Sequence, residues 1–368
     1  MNVTFTNPAS LENPYQGETN PFPLPPGPAP TSTAFQIPEQ ANPFTLGMKP
    51  PTIQQWNLTL EQQVAFKSVF RLAYEGQRAF HVMGSVEGNP AIYNPGETLQ
   101  QNLSNFNIRR PMGSEYQGLA LGENVGVANF ESVTFSLQKQ AAHGLTFLAG
   151  YRWSKCMDEQ AYDEEPFYDT DAYSTTNPRH DYGRCTFNVT NQFKGSFVWD
   201  LPKTNLGWSF ANEVLSNWEA NGILILQSGE PFTVYSGVDN STSGIGWDRA
   251  DLVGNPHLSG SHSHAQEVQE YFNTAAFAQN ALGTFGNTGA SFLVGPGYSD
   301  LDFSLVRTFH LPLPGPEGQT LQFRAESFNL ANRVNFSNPT ATVASSADGT
   351  ITTANTPRIL QFALKYSF

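Results

Sequence analysis

The stretch RILQFALKYSF, residues 358–368, decides how the rest of the sequence is read. Leu360, Phe362, Leu364, Tyr366 and Phe368 alternate with Ile359, Gln361, Ala363, Lys365 and Ser367. Side chains of a strand point to opposite faces with a period of two, so this is a strand with one wholly apolar face. The last residue given is an aromatic one, Phe368.

The same period recurs upstream. IQQWNLTLEQQ (53–63) sets Trp56, Leu58 and Leu60 against Asn57, Thr59 and Glu61, and SVFRLAYEGQ (68–77) sets Phe70, Leu72 and Tyr74 against Arg71 and Glu75. SVTFSLQKQ (132–140) sets Val133, Phe135 and Leu137 against Thr134, Ser136 and Gln138. LTFLAGYRWSK (145–155), NQFKGSFVWDL (191–201), WEANGILILQSG (218–229), DLDFSLVRTF (300–309) and LQFRAESFNL (321–330) behave alike. About nine strands are predicted, many with an aromatic residue near an end.

Composition agrees with strands and turns. Aromatics make up 13% of the 368 residues, and the 31 glycines and 26 prolines punctuate the apolar blocks. A net charge of −13 opposes nucleic-acid binding, which needs a basic partner for phosphate. No run of about 18 apolar residues exists, which excludes a membrane-spanning helix but not a membrane barrel, whose strands alternate in polarity. MNVTFTNPAS has neither a basic nor an apolar leader region, so either the protein is cytoplasmic or its beginning is missing.

Connection lengths discriminate further. The first two strands are joined by a few residues around 65–67, the third and fourth by 142–144, and the seventh and eighth by PLPGPEGQ (312–319). Connections of about 50, 30, 70 and 25 residues alternate with these. Short turns on one rim and long loops on the other are the pattern of an outer-membrane barrel.

The blocks IQQWNLTLEQQ, GLTFLAGYRWSK, SGEPFTVYSG, YFNTAAFAQNALGTFGNTG, GPGYSDLDFSLVRTF, LQFRAESFNLANRVNFSNP and PRILQFALKYSF together resemble, in order, the C-terminal part of TonB-dependent outer-membrane transporters of the Oar-like type. RLAYEGQRAFHV and ASFLV (290–294) depart from that pattern. The resemblance implies an all-β, antiparallel transmembrane meander contributing about nine C-terminal strands to a barrel of roughly 22. Barrels of that size are plugged. It implies residues 1–51 as a Pro/Asn-rich extracellular loop or irregular segment and 52–368 as the barrel portion. It also implies a chain that is a fragment, without signal peptide, plug or TonB box, because nine strands cannot close at that diameter.

Solute uptake across the bacterial outer membrane is the function this predicts, with no enzymatic activity and no cofactor. The expected partners are outer-membrane lipid, the barrel-assembly machinery, TonB through the absent N-terminal part only, and an unknown solute such as a carbohydrate or peptide. A secreted or surface β-protein for adhesion or carbohydrate binding is the alternative.

On the barrel reading, Tyr151, Trp153, Phe197, Trp199, Tyr366 and Phe368 form aromatic girdles, and Tyr366 with Phe368 serves as the barrel-assembly signal. Arg152, Lys194, Arg324 and Glu326 face the lumen, as do Thr134, Ser136, Asp300 and Asp302. Cys156 and Cys185 lie at one rim of one hairpin, where an envelope compartment favours a disulfide. DEQAYDEEPFYDTD (158–171) carries seven carboxylates in fourteen residues but no EF-hand spacing, and reads as a solvated acidic loop. His257, His262 and His264 lack an evident fourth ligand, so no metal site is assigned.

Overall fold

The computed structural model describes residues 38–113, 115–142, 144–159, 178–203, 212, 214–246, 248–311 and 318–368. Nine long strands among them form one sheet: β1 (Thr52–Val64), β2 (Ser68–Glu87), β3 (Tyr116–Ala142), β4 (Leu145–Asp158), β5 (Asn191–Asp200), β6 (Trp218–Gln227), β7 (Tyr298–His310), β8 (Thr320–Phe328) and β9 (Ile359–Ser367). Each pairs antiparallel with its neighbour in sequence, so the sheet is a plain meander from β1 to β9. Two short strands flank it: Glu39–Ala41, parallel to β3, and Gly183–Arg184, antiparallel to β4. The sheet is open, with β1 and β9 as its edges among the described residues.

Register places the alternation of every strand in phase. Leu60, Leu72, Phe135, Tyr151, Phe193 and Leu226 are successive cross-strand partners. So are Leu305, Ala325 and Phe362 further along the same face. The opposite face carries Glu61, Arg71, Ser136, Gly150, Lys194, Ile225 and Asp300 in one row. A one-residue slip anywhere would exchange the two faces, so the shared apolar face locks the register. That face is bare: Phe362 is 69% exposed and Leu364 70%.

Its margins end in aromatic residues with polar handles. At the long-loop side Trp56 Nε1 donates to Tyr74 Oη (3.3 Å), and Tyr74 Oη donates to Glu131 (2.5 Å). At the short-turn side Trp218 Nε1 donates to the Val214 carbonyl (2.9 Å) and Tyr366 Oη to Gln319 Oε1 (2.6 Å). Rings that keep an apolar body in one phase and a polar tip in the other suit a membrane–water boundary. Arg307, on the apolar face, lies near the short-turn margin with its guanidinium 4.7 Å from the centre of the Phe309 ring.

Two strands differ from the sequence reading. β2 continues to Glu87 instead of ending near residue 77, and β3 begins at Tyr116 instead of near 132. The connection between them is therefore 88–115, far shorter than the expected 50 residues. Their upper halves escape the pattern because YQGLALGENVGVANF has glycines and small apolar residues on both faces. They pair with each other past the end of β1, with register shifts around His81, whose φ is +54°. β3 has 27 residues, about 90 Å at ~3.3 Å each, and so projects well beyond any bilayer. Part of the segment expected to be irregular, 1–51, is also ordered: Phe44 bridges to Gly122 and Thr45 N donates to the Gly122 carbonyl (3.0 Å).

The hydrophobic core lies in the loops. Phe232, Val234, Ala250, Phe272, Ala276, Phe277 and Leu293, all from the β6–β7 connection, form one buried cluster. Ala341 and Val343 of the β8–β9 connection pack against it. Phe272 sits between Phe232 (ring centres 5.8 Å) and Phe277 (5.5 Å, edge-to-face). Full burial of such a side chain contributes about 1.5–3 kcal/mol, enough for the loops to hold a shape of their own. Helix α1 (His264–Gln269) is started by a capping box in which Ser263 and Gln266 satisfy each other's backbone N–H groups.

Two arginines, Arg249 buried and Arg109 partly buried, tie two more of the long connections to the β6–β7 connection. Arg249 Nη2 donates to Asp181 Oδ1 (2.8 Å) and to the His180 carbonyl (2.8 Å), tying in the β4–β5 connection. Arg109 Nη2 donates to the Thr242 carbonyl (3.0 Å), tying in the β2–β3 connection, and burial lowers the Arg109 pKa. Next to it Arg110 pairs with Glu87 at 3.1 Å, both side chains buried. Asp248, also buried, accepts from Ser241 N (2.6 Å) and Asn280 Nδ2 (2.8 Å). Its burial pushes its carboxyl above the usual aspartate range, and Asp239 adds to the effect. The four long connections therefore form one cap on one rim.

Two outcomes follow from these contacts. Phe362→Arg puts a cation on the bare apolar face and should cost roughly 2–4 kcal/mol near the bilayer midplane. Urea titration of heat-modifiable gel mobility checks this, and an unshifted midpoint would refute the assignment of that face to lipid. Arg249→Met removes the guanidinium from the buried Asp181 carboxylate, a loss of roughly 3–5 kcal/mol that falls on the cap. Limited proteolysis should then cut within 178–190 and 228–297 while the strands stay protected.

Candidate functional site

Where the polar face of the sheet meets the cap, the chain encloses a cleft of about 360 Å³. Its floor is the end of β6 and the start of β7, with Gln227, Ser228, Gly229, Glu230, Pro296 and Tyr298. Its far wall is Phe336, Ser337, Asn338 and Asn355 from the β8–β9 connection. Gly229 is dictated by packing, since a Cβ there would lie 1.8 Å from the Gly295 carbonyl oxygen. The SGEPF turn can thus cross the chain leading into β7 at backbone contact distance.

The cleft continues a row of polar side chains on the sheet. Arg152, Gln192, Gln227 and Tyr298 are successive cross-strand partners across β4 to β7, and Gln192 Nε2 donates to Gln227 Oε1 (3.0 Å). One step down β7, Asp300 Oδ2 accepts from Tyr298 Oη (3.2 Å). Below it, Asp302 Oδ1 accepts from Asn329 N (3.0 Å). A smaller depression of about 160 Å³ follows, lined among others by Asn221, Asp302, Ser304 and Glu326. Phe336 is held edge-to-face against His264, ring centres 6.1 Å apart.

The residues singled out in the sequence fall around this feature unevenly. Arg152 and Lys194 occupy neighbouring rows of the polar face, Arg152 opposite Gln192 and Lys194 opposite Gly150. Arg324 and Glu326 form a 2.5 Å ion pair along β8. Only Glu326 reaches a depression, and none of the four lines the larger cleft. Cys156 and Cys185 have Cα atoms 5.4 Å apart and sulfurs within bonding distance, where β4 meets the short strand Gly183–Arg184. Tyr366 and Phe368 stack with ring centres 5.6 Å apart on the apolar face. His264 is spent in α1, and among the described residues no three metal-ligating side chains converge. Most of the acidic stretch 158–171 lies outside the described residues.

Sequence reasoning missed Glu230, Phe336, Asn338 and Asn355 as a group. Three of them lie inside blocks that carried the family resemblance, SGEPFTVYSG and NRVNFSNP, but their convergence depends on how the cap folds.

No curated protein matches the chain. Three solved structures resemble it: the outer membrane transporter YddB from Escherichia coli (11% identity, TM-score 0.44, 86% of this chain and 33% of that one), BauA, the ferric preacinetobactin receptor from Acinetobacter baumannii (11%, 0.40, 86% and 29%), and the FrpB iron transporter from Neisseria meningitidis, F3-3 variant (10%, 0.41, 88% and 32%). The chain spans about a third of the length of these structures. The model of the outer membrane beta barrel domain matches residues 1–361. With that match across nearly the whole chain, and a meander whose bare face is apolar and whose other face is polar, the chain belongs to the outer membrane beta barrel domain family of the bacterial outer membrane.

Proposed function

We propose that residues 52–368 form the C-terminal strands of a TonB-dependent transporter of the Oar-like type, with a solute entering under the loop cap. The observation that carries this reading is the continuity of the polar row Arg152, Gln192, Gln227 and Tyr298 with the cleft at the cap. Such a row gives a hydrated solute hydrogen-bonding partners from the loops down along the sheet. A barrel of this class is closed by further strands and filled by a plug, and on this reading those parts and the TonB contact belong to the rest of the protein. The chain itself then carries out no chemical reaction. Tyr366 and Phe368 present the assembly machinery with its signal at the short-turn margin.

An adhesin or secreted lectin would have to cover the apolar face with a second layer. Among the described residues that face exposes large apolar side chains from β1 to β9, Leu58, Phe135, Trp153, Leu226 and Phe362 among them.

In cell fractionation, the full-length protein should sediment with the outer membrane and resist extraction by alkaline carbonate. Formaldehyde cross-linking in growing cells should capture it with TonB. Recovery in a soluble fraction, or no TonB adduct, would reject the transporter reading.

We further propose that Cys156 and Cys185 form a disulfide in the envelope. Closing a loop of this size, with a sequence separation of 29, contributes roughly 3–4 kcal/mol in the chain-entropy model. Maleimide labelling of the unfolded, unreduced protein should find no free thiol; two labelled cysteines would remove the bridge.

A further inference from the structure

The lining of the larger cleft is selective, and we propose from it that the site takes a neutral, polyhydroxylated ligand, the chemistry of an uncharged oligosaccharide. This rests on the transporter reading and names the class of solute it would serve.

Sugar rings offer hydroxyls that both donate and accept, set on a ring with apolar C–H faces. A site for them combines amide or carboxylate groups with aromatic rings. The cleft supplies the amides of Gln227, Asn338 and Asn355, the Glu230 carboxylate, and the rings of Tyr298 and Phe336. Glu230, Asn338 and Asn355 are exposed, and none of the three side chains has a hydrogen-bond or ionic partner among the described residues. Beneath Tyr298, Asp300 Oδ1 is buried and accepts from no donor among the described residues. A hydroxyl, or a water it orders, would satisfy that oxygen, and leaving such a group unmade is costly. The volume falls in the range of about 300–1,000 Å³ usual for small-ligand sites.

Charge excludes the commonest rival. Among the described residues no lysine or arginine lines the cleft, while Glu230 lies in it and Asp300 beneath it. A phosphate, carboxylate or anionic metal chelate would meet those carboxylates with no cation to offset them, in a protein whose net charge is −13. A cationic ligand is the remaining competitor, and Glu230 separates the two. A hydroxyl can hydrogen-bond a glutamine in place of the glutamate, whereas a cation loses its counter-charge.

The test uses full-length protein in detergent on an array printed with neutral oligosaccharides (gluco-, xylo-, manno- and galacto-series), uronate and sulfated oligosaccharides, and amino-sugar oligomers. Binding should appear on neutral spots. For the best neutral oligosaccharide, titration calorimetry should show at least a tenfold weaker Kd for the double variant N338A/N355A and less than a tenfold change for E230Q. Unchanged heat-modifiable mobility is the folding control for each variant, and the wild-type array stands without them. Binding confined to anionic or amino-sugar spots, no spot above the detergent blank, or a double variant that folds and binds as wild type would each overturn the assignment. A blank array alongside a TonB adduct strikes the ligand class alone. A missing adduct strikes the transporter reading, whatever the array shows.

Discussion

Everything in this chain depends on one requirement: inside a bilayer each backbone N–H and C=O must find its partner within the protein. The nine strands meet it by laddering with their neighbours in sequence order, and the ladder then dictates the side chains. Because the pleat alternates, a single register sends Leu60, Leu72, Phe135, Tyr151, Phe193 and Leu226 to lipid and their neighbours to the opposite face. No separate force is needed to choose the faces. The edges at β1 and β9 have their outward backbone groups unladdered among the described residues.

A sheet with lipid on one side and a polar surface on the other has no conventional core. The buried apolar cluster therefore appears where water surrounds the chain on all sides, in the connections above the rim. There the ordinary rules of soluble proteins return: stacked phenylalanines, a capped helix, and arginines buried only with carboxylate or carbonyl partners. The cleft lies at the seam between these two regimes. One side is strand, held by the ladder, and the other is loop, held by the cap.

Most of the strand plan was legible in the sequence because its cause is local. Period-two alternation from Leu145 to Trp153, or from Leu360 to Phe368, reports the two faces directly. The upper halves of β2 and β3 were not legible, since they rise above the lipid and nothing there enforces alternation; Gly118, Gly122 and Gly126 interrupt it. The polar-face positions Arg152, Lys194, Arg324 and Glu326 followed from phase alone. The cleft did not, because Gln227, Pro296, Phe336 and Asn355 come from distant parts of the chain. Their meeting depends on contacts such as Arg249 with Asp181, which leave no periodic trace.

The arginine ties of the cap also bear on how this surface can change over time. Exposed loops of a bacterial surface protein face phages and antibodies, and loops with separate anchors could drift one by one. Here a change at Asp181 in one loop leaves Arg249 of another without its carboxylate, and a change at Arg109 releases the carbonyl of Thr242. Escape from recognition must then proceed by paired substitutions, or be confined to residues outside these ties. Sequence variation among relatives should accordingly concentrate on loop tips and spare the three seams that join the loops.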